Sequence, residues 1–179
     1  MMPEVHVFIA TSLDGYIADV QGGLEWLMMM PAPEDEDHGY TAFIEAVDCL
    51  VMGSGSFRAL AAMRDWPHDK PVVVLSRSLG PEDVPPHLSN RVRVMRATPR
   101  AMLRQLGAEG MRRVYLDGGK VISSFLREGL VQRLTITRLP VILGAGLPLF
   151  DDPGPQYLLH LETRSWPHGF VQSVYQVAP

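Results

Sequence analysis

Three short stretches of the chain carry residue types that hold phosphate: Gly53-Ser54-Gly55-Ser56, Ser76-Arg77-Ser78 and Asp117-Gly118-Gly119-Lys120. Each follows an apolar run, and the first and third lead at once into a helical pattern. A helix N-terminus offers unpaired amides and the positive end of the helix dipole, and both favour an anion. An arginine between two serines adds a planar cationic fork and hydroxyl donors. Taken singly, each stretch also reads as plain architecture. Gly53 and Gly55 then allow a close helix–strand approach, Arg77 is a surface charge, and Gly118-Gly119 is a tight turn. Taken together, they describe a ligand with several phosphates spread over adjacent strand ends. A dinucleotide with an extra phosphate on its adenosine ribose has that layout. The Gly-x-Gly-x-x-Gly fingerprint of doubly wound dinucleotide folds is absent, because Gly53-Ser54-Gly55 runs into Phe57-Arg58 with no third glycine in place.

These turns need a frame to hold them. Val5–Ala10 predicts a first strand, followed by a glycine-containing loop from Thr11 to Gly23. Asp35, Glu36 and Asp37 suit the first turn of a helix, whose buried face is Tyr40, Phe43, Ile44 and Val47. Asp48–Met52 is a second strand, and the Gly53–Ser56 turn opens a helix carrying Phe57, Leu60 and Ala61. Pro71–Leu75 is rich in valine and suits a strand covered on both faces. Val92–Met95 is a fourth strand, and Thr98-Pro99 marks a helix start. Val114–Leu116 leads into a helix with the stripe Ile122, Phe125 and Leu126, closed by Gly129. Leu134–Thr137 begins a long strand that Gly144-Ala145-Gly146 breaks. Tyr157–Trp166 and Phe170–Val177 form a hairpin around Pro167-His168-Gly169. Strand and helix alternate for two thirds of the chain and antiparallel β follows, which predicts one α/β domain over residues 1–179 with a mixed sheet.

Composition narrows the function classes. The 179 residues are 46% hydrophobic and 20% charged, with a net charge of −4. No lysine–arginine cluster is long enough to track nucleic acid, and Arg91, Arg93, Arg96, Arg100 and Arg104 read as a solvated face. No segment approaches the length of apolar sequence that spans a membrane, and no charged leader precedes an apolar stretch, so a cytoplasmic location is expected. The single cysteine, Cys49, lies in an apolar run and reads as a buried, inert thiol.

Five stretches, taken in order, resemble the dihydrofolate-reductase-like superfamily: IATSLDGYIAD, DCLVMGSGSF, VVVLSRS, LDGGKVISSFLREGLVQRL and PVILGAGLPLF. The nearer likeness is to the branch typified by the reductase domain of the bifunctional riboflavin-synthesis deaminase-reductase, with its small stand-alone relatives. The resemblance covers nearly the whole chain. It implies a three-layer α/β fold whose mixed, mostly parallel central sheet is flanked by helices and ends in an antiparallel hairpin. It also implies NADPH bound across the strand ends and hydride transfer to a C=N or C=O bond of a small pteridine- or pyrimidine-like compound. The riboflavin-pathway 5-amino-6-(5-phosphoribosylamino)uracil reductase type is one such reaction. A protein that binds the nucleotide without catalysis is the alternative.

The same resemblance assigns residues. Gly118, Gly119, Lys120 and Val121 match the pyrophosphate segment, and Ser76, Arg77 and Ser78 match the turn that holds the ribose phosphate and so selects NADPH over NADH. Gly53 and Ser56 match a phosphate turn usually written Gly-Arg-x-Thr, with Ser54 here in place of the arginine. Ala10 and the loop Leu13–Ile17 match the segment that closes over the nicotinamide. Asp14 either braces that loop or points into the substrate pocket, and Trp26 either lines the pocket mouth or packs in the core. Asp37 matches the acid that holds the heterocycle in classical dihydrofolate reductases; its other reading is support of a helix N-terminus. The His-x-Glu and Cys-x-x-Cys motifs of a zinc deaminase are absent from these residues. Relatives of this kind commonly form homodimers, which extends the expectation to this chain.

Overall fold

The apolar runs pair into a single eight-stranded sheet in the computed structural model, which describes residues 1–179. In chain order the elements begin with β1 (Glu4–Thr11), β2 (Tyr16–Ala18), α1 (Glu25–Met28), α2 (Tyr40–Glu45), β3 (Cys49–Met52) and α3 (Ser54–Ala61). Next come β4 (Val72–Leu75), β5 (Val92–Met95), α4 (Pro99–Ala108), β6 (Arg113–Asp117) and α5 (Gly119–Arg127). The chain closes with β7 (Arg133–Arg138), β8 (Leu147–Pro148), β9 (Leu158–Ser165) and β10 (Val171–Val177). The sheet order is β5-β4-β3-β6-β1-β7-β10-β9. The first six strands in that order run parallel, and β10 and β9 are antiparallel. All six parallel strands therefore end on one edge, where open α/β sheets bind their ligands.

Alternate residues of each inner strand feed two cores. Val5, Val7, Cys49, Val51, Val114 and Leu116 pack against α4 and α5, whereas Leu50, Met52, Val72, Val74 and Tyr115 pack against α2 and α3. This is the three-layer arrangement. Ile122, Phe125 and Leu126 are fully or almost fully buried, as their spacing on α5 predicts. Each such side chain contributes about 1.5–3 kcal/mol by leaving water. Gly129, with φ 67°, closes α5 with paired bonds, Gly129 N–H to Leu126 O and Leu130 N–H to Phe125 O. That double bond holds α5, and with it the turn at its start, in a fixed place. Cys49 is fully buried, and burial pushes its thiol up to about 12, so it is inert at neutral pH.

Several local expectations change. The helix after the acidic stretch starts at Tyr40, because His38 and Gly39 both adopt left-handed backbone, with φ 55° and 86°. The strand from Leu134 ends at Arg138, ahead of Pro140 and well before Gly144. Residues 142–149 instead return to form β8, which pairs with β2 in a small antiparallel ribbon. No helix is long and apolar enough to cross a membrane.

Candidate active site

Adjacent strands β3 and β6 run parallel with Met52 opposite Asp117, and the helices that follow them lie on opposite faces of the sheet. Their first turns meet at the strand-end edge. A side chain on Gly53 would come within 2.8 Å of Val121 Cγ2, and one on Gly118 within 2.9 Å of Ser56 Oγ. Two helix N-termini thus converge on one spot, each with unpaired amides and a positive dipole end. Val121 contributes a buried wedge and leaves only its backbone for a ligand. Gly118 sits at φ 106°, a backbone that side chains rarely allow.

Gly118 and Gly119 do not open vacant space. The position of a Gly119 side chain is filled by Pro148 O at 2.4 Å and Leu149 O at 3.1 Å, from the β2–β8 ribbon. What remains for an anion is the amides, the Ser56 hydroxyl and Lys120, whose side chain is exposed and takes part in no ion pair.

One strand further out, Ser76 is buried and its hydroxyl oxygen accepts the amides of Ser78 and Leu79 at 3.2 and 3.1 Å. The turn is thereby locked with Arg77 and Ser78 facing solvent. Arg96, just past β5, donates a guanidinium N–H to Arg77 O and brings a second cation to this corner. The three stretches singled out in the sequence therefore lie on neighbouring strand ends. The residues present fit a polyphosphate with an outlying phosphate at Arg77.

The other end of the row holds the acids. Asp117 is the last residue of β6; its carboxyl lies deep among protein atoms while part of the residue stays open at the strand end. Burial pushes that carboxyl up to about 6, against the Gly118 N–H that bonds it and pulls it down. Burial also raises the Tyr40 phenol, and the nearby Asp117 raises it further. Tyr115 is raised well above the usual phenol range by burial, then by Asp117 and Tyr40, and it donates to Phe8 O at 2.9 Å. A protonatable acid and a partly buried phenol thus share one small volume. Ala10, near the end of β1 and opposite Thr137, is half-buried, and the next residue, Thr11, has a buried hydroxyl with no partner in the chain.

Two expected site residues do other work. Asp37 is exposed, and its two carboxylate oxygens accept the amides of Gly39 and Thr41, each at 2.9 Å. Hydrogen bonds with Thr41, then with Gly39, hold it at about 2. It caps α2, and the acid at the strand ends is Asp117. Asp14 likewise accepts from Ser12 Oγ at 2.6 Å, Leu143 N at 3.1 Å and Gly144 N at 2.8 Å, bonds that lower its carboxyl. It braces the loop. Trp26 stands on α1, half-buried, with a buried ring N–H that has no partner.

In the sequence Asp117 reads as the first letter of a turn. Its position as the final residue of a central strand was the available signal. Tyr40 read only as part of an apolar helix face. A groove of about 720 Å³ lies elsewhere, between α2 and the bare face of β7, β10 and β9, with His6, Arg133, Thr135, Gln172 and Arg164 among its walls. It holds neither the paired helix N-termini nor Asp117.

Comparison with known proteins agrees with this frame. The model of the family described as the RibD C-terminal domain matches residues 3–170. The crystal structure of a "Putative riboflavin biosynthesis protein" from Shewanella sp. PV-4 is 37% identical, covers 100% of both chains and superposes with a TM-score of 0.90. "Uncharacterized protein YwjB" of Bacillus subtilis is 29% identical over 149 residues, 82% of each chain. A diaminohydroxyphosphoribosylaminopyrimidine deaminase/5-amino-6-(5-phosphoribosylamino)uracil reductase from Thermotoga maritima is 17% identical, with a TM-score of 0.71 over 99% of this chain and 57% of that one. At that identity the last likeness speaks for the fold alone.

Proposed function

The chain belongs to the RibD C-terminal domain family, and from that premise we propose that it is an NADPH-dependent reductase of a small heteroaromatic C=N or C=O compound. The observation that carries the reading is the meeting of the α3 and α5 N-termini beside Asp117, with the Ser76–Ser78 turn two strands from it. When bound, NADPH supplies a hydride. The Gly119, Lys120 and Val121 amides hold the pyrophosphate, Ser56 adds a hydroxyl, and Arg77 with Ser78 takes the ribose phosphate. Reduction of C=N also needs a proton, and Asp117, with a carboxyl near 6, donates it in its protonated form. Tyr40 lies beside that acid and helps orient the acceptor. The riboflavin-pathway uracil derivative reduced by relatives of this fold is the first acceptor to try.

The second reading, a nucleotide-binding protein without turnover, has one feature in its favour: Ser54 stands where the family carries a phosphate-binding arginine. Arg77→Ala tests the shared part of both readings. One lost charge-assisted contact is worth about 1.5–3 kcal/mol, or roughly 10- to 100-fold in Kd. NADPH is therefore expected to weaken by that factor in a fluorescence titration while NADH changes less than about twofold. Equal losses for both would remove Arg77 from the ribose phosphate.

We also propose that the protein is a homodimer built on its bare β end. All eight residues of β9 are exposed, including Leu159 and Leu161, and an edge strand this long invites pairing. Sedimentation equilibrium at micromolar concentration is expected to give a dimer that Leu161→Lys dissociates. A monomer at that concentration in the unmodified protein contradicts the proposal.

A further inference from the structure

His38 and His168 place their Nε2 atoms 2.8 Å apart, although 130 residues separate them in the chain. One nitrogen must donate and the other accept, so the contact holds only while at least one ring lacks its second proton. His38 stacks on Phe170 at 4.7 Å and meets the edge of Trp166 at 4.8 Å, which fixes its ring plane. Its backbone is equally constrained. Gln172 donates to His38 O at 2.8 Å and to Thr137 Oγ1 at 3.0 Å, and Glu36 accepts the His38 amide at 2.9 Å. Such convergence is unusual in a loop. It holds His38 and Gly39 in consecutive left-handed conformations that turn the chain into α2.

We propose that His168 is a positioning residue for the acceptor end of the site: through its one-proton bond to His38 it fixes the start of α2, and so the placement of Tyr40 beside Asp117. The route is short and contiguous. His168 lies at the tip of the β9–β10 hairpin, His38 is two residues before Tyr40, and Gln172 ties the same loop to Thr137, the strand partner of Ala10. The reductase reading supplies the kinetic consequence, while the coupling of the two rings stands without it.

Protonation gives the clasp a direction. With no proton or one proton added, the pair keeps an N–H···N bond; with two, both nitrogens are donors at 2.8 Å and the contact opens. The charged groups acting on His38 are Glu36 and Asp37 on the loop; Arg164 on β9 lies 5.2 Å over the ring of Trp166, which packs against His38. Burial lowers His38 most, the facing carboxylates oppose this, and a charge on His168 lowers it further. The second proton therefore enters below the ordinary imidazole range of about 6.5. The unfolded chain binds that proton more readily, so the clasp is intact above this range and is lost as pH falls beneath it.

His168→Phe keeps an aromatic ring and removes the bond. It is expected to raise the acceptor KM about tenfold at neutral pH, with kcat and the NADPH Kd changed less than about twofold. The acid-side rise in KM expected of the unmodified enzyme should disappear. Independently of turnover, the ring-proton NMR signal of His38 in the unmodified protein should titrate on the acid side of the ordinary imidazole range, and its midpoint should move in His168→Phe. A His38 midpoint that the substitution leaves in place overturns the proposal, as does a variant whose KM profile matches that of the unmodified enzyme. If no acceptor is turned over, the NMR result still decides the clasp, and the reductase reading fails separately.

Discussion

Asp117→Asn is expected to cut kcat by about 100- to 1,000-fold while making the folded protein more stable at neutral pH. The size of the first effect is that of losing a positioned proton donor. The second follows from burial. A carboxyl near 6 in the folded chain and about 3.9 when unfolded binds protons more readily when folded, so ionising it above that window opposes folding. The sign is therefore a loss of stability as pH rises from about 4 to about 6, worth at most about 3 kcal/mol. The isosteric amide removes that cost and can still accept from the Gly118 amide. For a chain of this size a gain of about 2 kcal/mol lifts Tm by roughly 4–8 °C. In the unmodified enzyme kcat/KM should fall as pH rises through about 6, and that limb should flatten in the variant. A variant that loses activity and stability together would make Asp117 a structural residue.

Gly119→Ala is expected to have the largest effect on cofactor binding. The added methyl would sit 2.4 Å from Pro148 O, a backbone atom that cannot rotate away. Overpacking of this kind costs about 1–3 kcal/mol. Calorimetry should show Tm lower by roughly 3–10 °C. The ribbon of β2 and β8 must lift from the first turn of α5, so NADPH should weaken at least about tenfold. Gly55→Ala serves as the control, since a methyl at Gly55 meets nothing within 4 Å. Its NADPH Kd should stay within about threefold. Unchanged cofactor affinity in Gly119→Ala would separate the ribbon from the site.

The frame was legible in the sequence because it is written in local patterns. The valine run at Val72–Val74 and the stripe Ile122, Phe125 and Leu126 each announce one element and one buried face. The candidate phosphate turns were legible for a related reason: their glycines, serines and arginine stand together just past apolar runs. The acceptor end was not. Asp37 and Asp117 are both acids near turns, and only the fold shows that Asp37 spends its oxygens on Gly39 and Thr41 while the Asp117 carboxyl lies buried at a central strand end with the Gly118 amide on it. Nor could the sequence show why Gly119 must be glycine, since the reason is a carbonyl 29 residues away on β8. The His38–His168 contact belongs to the same class, because it joins two turns through tertiary packing alone.

The most direct test of the central claim is the loss of nicotinamide absorbance when NADPH and the protein are mixed with a panel of pteridine and pyrimidine acceptors, the 5-amino-6-(5-phosphoribosylamino)uracil precursor among them. At least one acceptor is predicted to oxidise NADPH catalytically, with NADH a much poorer donor. Saturable NADPH binding with no oxidation by any member of the panel would contradict the reductase and leave a nucleotide-binding protein in its place.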